Sequence, residues 1–166
     1  MRELLIIRHA KAEKNPPGIV RDIDRPLTRQ GFSDAFRLGR FLASVGYHSD
    51  LVLCSPSLRT RQTHEALAKG GFSWGSYQES MVIYEGHTRD IEQLCHMGES
   101  NADRMTIIGH NPSLEEWVWH LCGINDSALH LKPCAAICHR WPDGLIHWYL
   151  SPSFLPKFDE SFDDAE

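Results

Sequence analysis

Two histidines and two arginines in this 166-residue chain stand where they could do chemistry at phosphorus. Arg8-His9 closes the short apolar run 4–7, Arg59 follows Ser55 by four residues after the run 51–54, and His110 follows Gly109 after the run 105–108. Each run reads as a strand buried on both faces, so each polar group is released at a strand tip. In open α/β sheets, ligands bind outside the carboxyl ends of the strands, which makes convergence of these groups the expectation. A rigid guanidinium donates paired hydrogen bonds to tetrahedral oxygens, so Arg8 and Arg59 suit a phosphoryl group. Binding alone needs no imidazole. A reaction at phosphorus needs a nucleophile, and a neutral histidine carries a lone pair near neutral pH. His9 is the candidate, with neighbouring cations expected to depress its pKa and a backbone carbonyl expected to hold its other ring nitrogen.

The elements that must position these groups alternate. The polar stretch 11–27, with Pro16, Pro17, Gly18 and Pro26, reads as a long loop of the kind that carries function. Asp22 and Asp24 are placed to pair with Arg25 or Arg21 within it. Thr28 is a plausible N-cap for a helix whose apolar residues recur at helical spacing until Gly46. Further helices are expected over 56–69, 89–97 and 113–122, with a weaker strand over 81–84. Residues 135–140 and 145–150 flank Pro142-Asp143-Gly144 and read as a terminal strand pair. Trp141 and Trp148 are expected in the core or at its rim. Strands alternating with helices predict an α/β domain with a mainly parallel sheet.

Composition narrows the function classes. Hydrophobic residues at 42% and charged residues at 23% are those of an ordinary globular chain. No apolar stretch approaches the ~18–20 residues of a membrane span, and the four apolar residues before Arg8 are too few for a signal-peptide core. Five cysteines without a CxxC pair read as reduced, buried thiols, which predicts a cytoplasmic location. The net charge of -5 comes from five acids between Asp159 and Glu166, and without them the acids equal the 17 bases. Such a body has no electrostatic footprint for nucleic acid. The chain is expected to form one domain over 1–155, followed by an acidic, flexible tail over 156–166.

The motifs together resemble a family. Arg8-His9-Ala10 is similar to the Arg-His-Gly/Ala signature of the histidine phosphatase superfamily, and Arg25-Pro26-Leu27-Thr28 with Gly31 to its loop-to-helix segment. Ser55-Pro56-Ser57-Leu58-Arg59-Thr60-Arg61-Gln62-Thr63 resembles its Ser-Pro-x-x-Arg-x-x-x-Thr element, and Gly109-His110-Asn111-Pro112 its second histidine motif. Four motifs in order and at small-member spacing resemble the phosphohistidine phosphatases of the SixA type. The resemblance implies a three-layer α/β/α sandwich of the phosphoglycerate mutase-like type. It also implies a phosphohistidine intermediate on His9, phosphoryl oxygens held by Arg8, Arg59 and His110, and no metal or other cofactor.

Larger members carry an acidic proton donor near the middle of the chain. Glu85 is the nearest candidate here, although a solvated loop carboxylate is the preferred reading. Lys11, Ser55 and His87 are secondary candidates for the pocket, Lys11 for its charge and His87 for its place in a loop. The other histidines show no ligand spacing of a recognised metal motif. A phosphoramidate needs a dedicated acid less than an alkyl phosphate does, so the expected substrate is phosphohistidine in a protein. A small phosphorylated metabolite and a non-catalytic phosphate-binding module are the alternatives.

Overall fold

The computed structural model describes residues 2–98, 102–124, 129–142 and 144–157. The apolar runs form strands β1 (Glu3–Arg8), β2 (His48–Cys54) and β4 (Arg104–Gly109), and their central residues are buried on both faces. With β3 (Ser73–Glu79), β5 (Ala136–Arg140) and β6 (Ile146–Leu150) they make one six-stranded sheet in the order β3-β2-β4-β1-β5-β6. Strands β1 to β4 run parallel, while β5 is antiparallel to β1 and to β6. The mainly parallel sheet thus ends in the hairpin that the Pro142 turn signal predicts.

Helices cover both faces, because strands buried on both sides need an apolar layer on each. Helices α1 (Arg29–Ser44) and α2 (Leu58–Lys69) pack Leu38, Leu42 and Leu67 against Leu5, Ile7 and Val52. On the other face α3 (Val82–Glu85), α4 (Thr88–Gly98) and α5 (Ser113–Cys122) pack Ile83, Ile91 and Trp117 against Leu4, Ile6 and Leu53. This is the three-layer α/β/α arrangement. Trp141 is buried, and Trp148 packs at the edge of the first core. None of the five cysteines stands in a disulfide; four are buried and Cys122 is half-buried.

One expected element is corrected. Residues 82–85, read as part of a strand over 81–84, form the short helix α3, with only Ile83 buried. The sheet instead gains β3, whose sequence Ser-Trp-Gly-Ser-Tyr-Gln-Glu has no apolar run because it is an exposed edge strand. A four-residue apolar run cannot separate strand from helix by pattern alone.

The loop 11–27 is tied at both ends. Ala12 pairs with Leu27, and the Thr28 amide donates to the Lys11 carbonyl at 2.9 Å. Thr28 caps α1 as expected, its Oγ1 accepting from the Gly31 amide at 3.0 Å. At the far end of the chain, buried Arg37 donates to the carbonyls of Pro152 at 3.1 Å and Leu155 at 2.9 Å. Those bonds anchor the segment after β6 to α1. Most of the expected acidic tail, from 158 onward, lies outside the described residues. Among the described residues, no helix is long and apolar enough to cross a membrane.

Candidate active site

Main-chain bonds gather three strand tips. The His9 amide donates to Gly109 O at 2.9 Å, the Ser55 amide to Ile108 O at 3.0 Å, and the Cys134 amide to His9 O at 3.1 Å. These bonds bring Arg8, His9, Arg59 and His110 to one cavity of about 950 Å³, which Lys11, Arg25 and Asp22 also line. The His9 and His110 ring centroids lie 5.1 Å apart.

His9 is held in one tautomer. Its Nδ1 lies 2.7 Å from Ala10 O, and since a carbonyl only accepts, Nδ1 carries the proton and Nε2 the lone pair. The carbonyl-bearing residue is itself fixed, because the Ala10 amide donates to Thr63 Oγ1 at 3.0 Å and that hydroxyl donates to Arg59 O at 2.6 Å. Burial lowers the His9 pKa to about 4, with Arg59, Arg8 and Arg25 adding to it against the Ala10 bond. The expected depression is present, but desolvation outranks the cations as its cause. His110 is pushed down to about 2, again by burial first and then by His9 and Arg59. Both rings are neutral near pH 7.

His110 leans on the turn after β2. Its Nε2 is 2.7 Å from Ser55 Oγ and 3.4 Å from Ser57 Oγ, while Ser57 Oγ lies 2.7 Å from Thr60 Oγ1. Ser55 therefore stands behind His110 and does not line the cavity. Ser57, at the N-cap of α2, makes no side-chain capping bond because its hydroxyl is engaged there.

The arginines are fixed by groups the motifs did not reveal. Arg59, 4% exposed, donates through Nη1 to Asp22 O at 2.7 Å and through Nη2 to Asp22 Oδ2 at 2.9 Å. Arg25 Nε donates to Asp22 Oδ1 at 2.8 Å, and the Tyr84 hydroxyl donates to Asp22 Oδ2 at 3.1 Å. The expected pairs Arg21–Asp24 and Arg25–Asp22 both form; the bond to Arg59 is additional. Arg8 Nη1 donates to Leu131 O at 2.7 Å, and Glu115 Oε2 accepts from the Leu131 amide at 2.8 Å and from Asn111. Arg8 Nε, Arg59 Nε and His110 Nδ1 are buried without a hydrogen-bond partner. The cavity itself is lined by the basic side chains of Arg8, Lys11, Arg25 and Arg59, a lining that suits an oxyanion with several acceptor oxygens.

A model of the histidine phosphatase superfamily (branch 1) matches residues 4–94, more than half of the chain. The chain belongs to the histidine phosphatase superfamily. An uncharacterized chloroplastic protein of Arabidopsis thaliana is 31% identical over 144 residues, 81% of this chain and 64% of the relative's length. A 2,3-bisphosphoglycerate-dependent phosphoglycerate mutase of Rhizobium etli is 38% identical over 103 residues, covering 61% of this chain and 48% of that protein. The fold matches a solved structure from Agrobacterium tumefaciens described as a candidate phosphohistidine phosphatase SixA. Its TM-score is 0.78 and its identity 25%, over 91% of this chain and 99% of that one. Fold and family are therefore those of the histidine phosphatase superfamily, and the chain spans just under two thirds of the Arabidopsis relative's length.

Within this member of the superfamily the remaining sequence candidates divide. Lys11 lines the cavity, whereas Glu85 at the end of α3 and His87 beyond it are exposed and stand outside its lining. The carboxyl groups on the lining are those of Glu13 and Asp22. Burial raises the Asp22 pKa, but Arg59, Arg25 and Tyr84 outweigh it and hold the carboxyl below its ordinary value. Asp22 is held as a carboxylate, and a carboxylate has no proton to give.

Proposed function

We propose that this protein is a phosphatase that works through a covalent phosphohistidine on His9 and removes phosphate from phosphohistidine in proteins. The observation that carries the reading is the His9 ring, its Nδ1 proton bound to Ala10 O and its Nε2 lone pair left beside Arg8, Arg59 and His110. Nε2 attacks phosphorus, the bond from phosphorus to the leaving nitrogen breaks, and the phosphoryl group passes to His9. Water then attacks the phosphorus of that adduct, releasing inorganic phosphate and the free imidazole. The side chains of Arg8, Arg59 and His110, which line the cavity beside His9, supply positive charge and hydrogen bonds to the equatorial oxygens, where charge accumulates in the transition state. No step of this scheme calls on a metal.

Substrate class follows from the leaving group. An alkoxide leaves poorly without an acid; Asp22 is held ionised, Glu85 lies outside the cavity, and Glu13, the other carboxyl on the lining, is exposed to solvent. Phosphohistidine, protonated on its other ring nitrogen, departs as neutral imidazole and needs no such donor. The likeness to the Agrobacterium structure supports the same class. The second reading, a small phosphorylated metabolite, draws on the likeness to the Rhizobium mutase over 61% of the chain. Five cysteines outside any disulfide fit a reducing, cytoplasmic setting.

Two assays test the proposal. Incubation with a phosphohistidine protein is expected to leave an acid-labile label on the wild type and none on His9→Ala. Phosphate release is expected to be faster from that protein than from phosphoserine or 3-phosphoglycerate. A label that survives in His9→Ala overturns the nucleophile, and preference for the small esters overturns the substrate class.

A further inference from the structure

At the end of the sheet opposite His9, three strands bring together three different metal-binding side chains. Glu3 opens β1, Cys138 lies in β5 and His147 in β6, and their ligating atoms all fall within 4.8 Å of one another. Glu3 lies five residues from Arg8 on one strand and Cys138 pairs with Leu5, three residues from it, which separates this cluster from the phosphate cavity by about 10–16 Å at ~3.3 Å per residue. Glu3 and His147 line a separate cavity of about 600 Å³ with Arg2, His48, Asp50 and Arg104 among others, while Cys138 is buried and off that lining.

Three observations set the cluster apart from a surface ion pair. First, Cys138 pairs with Trp148 and His139 with Ile146, so His147 is the extra residue of a β-bulge. Bulges re-aim a side chain, and without this one His147 would alternate to the face away from Trp148 and Cys138. Second, Glu3 divides its oxygens: Oε2 accepts from Arg104 Nε at 2.9 Å, while Oε1 faces His147 Nδ1 at 3.8 Å, too long for a hydrogen bond. Third, Tyr47 is 8% exposed and its hydroxyl has no hydrogen-bond partner. Its ring centroid lies 6.4 Å from that of Trp148, the cross-strand partner of Cys138, and 5.5 Å from the guanidinium of Arg104.

We propose that Glu3 Oε1, Cys138 Sγ and His147 Nδ1 form a zinc site that fastens β1 to the edge pair β5–β6. A thiolate, an imidazole and a carboxylate are a borderline-soft set that suits zinc over calcium or magnesium. Zinc bonds of about 2.0–2.3 Å put tetrahedral ligand atoms roughly 3.3–3.8 Å apart, a spacing that the Glu3–His147 pair meets at 3.8 Å while the three atoms together lie within 4.8 Å. Exposed His147 can close the remainder by rotation, and the fourth position opens to the cavity for water. Binding releases the Cys138 thiol proton to solvent. Arg104 stays on Glu3 Oε2, as a partner that orients the ligating carboxylate.

The full-length protein, freed of metal with a chelator, is titrated with zinc against a chromophoric indicator and separately with cobalt. One equivalent is expected to bind, with a thiolate-to-cobalt charge-transfer band and a higher thermal midpoint in zinc. His147→Ala, at an exposed position that leaves folding intact, removes a ligand and is expected to weaken binding by at least the ~10–100-fold that loss of an outer-shell partner costs, and to abolish the thermal shift. Cys138→Ala is expected to abolish the band. Binding of no equivalent, or weak binding of several that neither variant changes, overturns the site; so does zinc affinity equal in wild type and His147→Ala.

Discussion

His9 can attack phosphorus only while Nε2 is free of a proton, so its ionisation is the most direct residue-scale consequence of the geometry. Burial and the surrounding guanidiniums hold its pKa at about 4, below the ordinary 6.5. The neutral Nδ1-protonated tautomer is therefore expected to persist as pH falls through 6.5 and to be lost only near 4. Side-chain nitrogen NMR of the histidines reads this directly, and a His9 midpoint near 6.5 would show that burial does not control the ring. At this scale the sequence was informative where a group sits at a strand tip, since Arg8, His9 and His110 follow apolar runs by one or two residues. It was silent where a partner is far along the chain. Asp22 reaches Arg59 across 37 residues, and the Leu131–Glu115 bonds that hold Arg8 span the site's far wall. Charge pairing within the loop could flag Asp22 beside Arg25, but no local pattern marks the partner that bridges the loop to α2.

Helices α1 and α2 cross backbone to backbone, and α2 carries both Arg59 and Thr63, the hydroxyl that fixes the residue after His9. A Cβ on Gly39 of α1 would strike the Leu67 carbonyl of α2, and one on Gly70 would strike the Phe36 carbonyl of α1. Backbone cannot yield as the end of a flexible side chain can. Gly39→Ala is thus expected to destabilise the fold by about 1–3 kcal/mol, the usual cost of overpacking, despite the gain in helix propensity. Chemical denaturation of the two proteins measures it, and equal stability would mean that the helices are free to part. Elements buried on both faces announced themselves as apolar runs, which is why β1, β2 and β4 were legible. Edge strand β3 was not, because Ser73 to Glu79 face solvent on most positions and draw their order from the Tyr77–Val52 register instead. The apolar run at 82–84 serves α3, a single turn that buries Ile83 and delivers Tyr84 to Asp22.

At the scale of the whole molecule, burial lowers the pKa of His9 and His110 in the cavity and of His64 remote from it. His64 on α2 packs against Trp74 at 4.3 Å and Tyr77 at 4.5 Å, with Nε2 unpartnered, and burial lowers its pKa to about 4. His9 stands at about 4 and His110 at about 2, whereas in the unfolded chain all three titrate near 6.5. Between these values the unfolded state binds more protons than the folded one, so stability rises with pH across the window. The contribution is fully present above about 6.5 and is lost as pH falls toward 4. His64 separates this effect from the cavity, since it touches none of the groups proposed for catalysis. In His64→Phe the difference in bound protons is expected to fall by about one, giving a shallower acid limb of unfolding free energy while the label on His9 still forms. Urea unfolding at several pH values gives that slope for both proteins. An unchanged slope would mean that His64 takes up its proton in the folded state, between the two aromatic rings, and that burial by the edge strand does not hold it neutral.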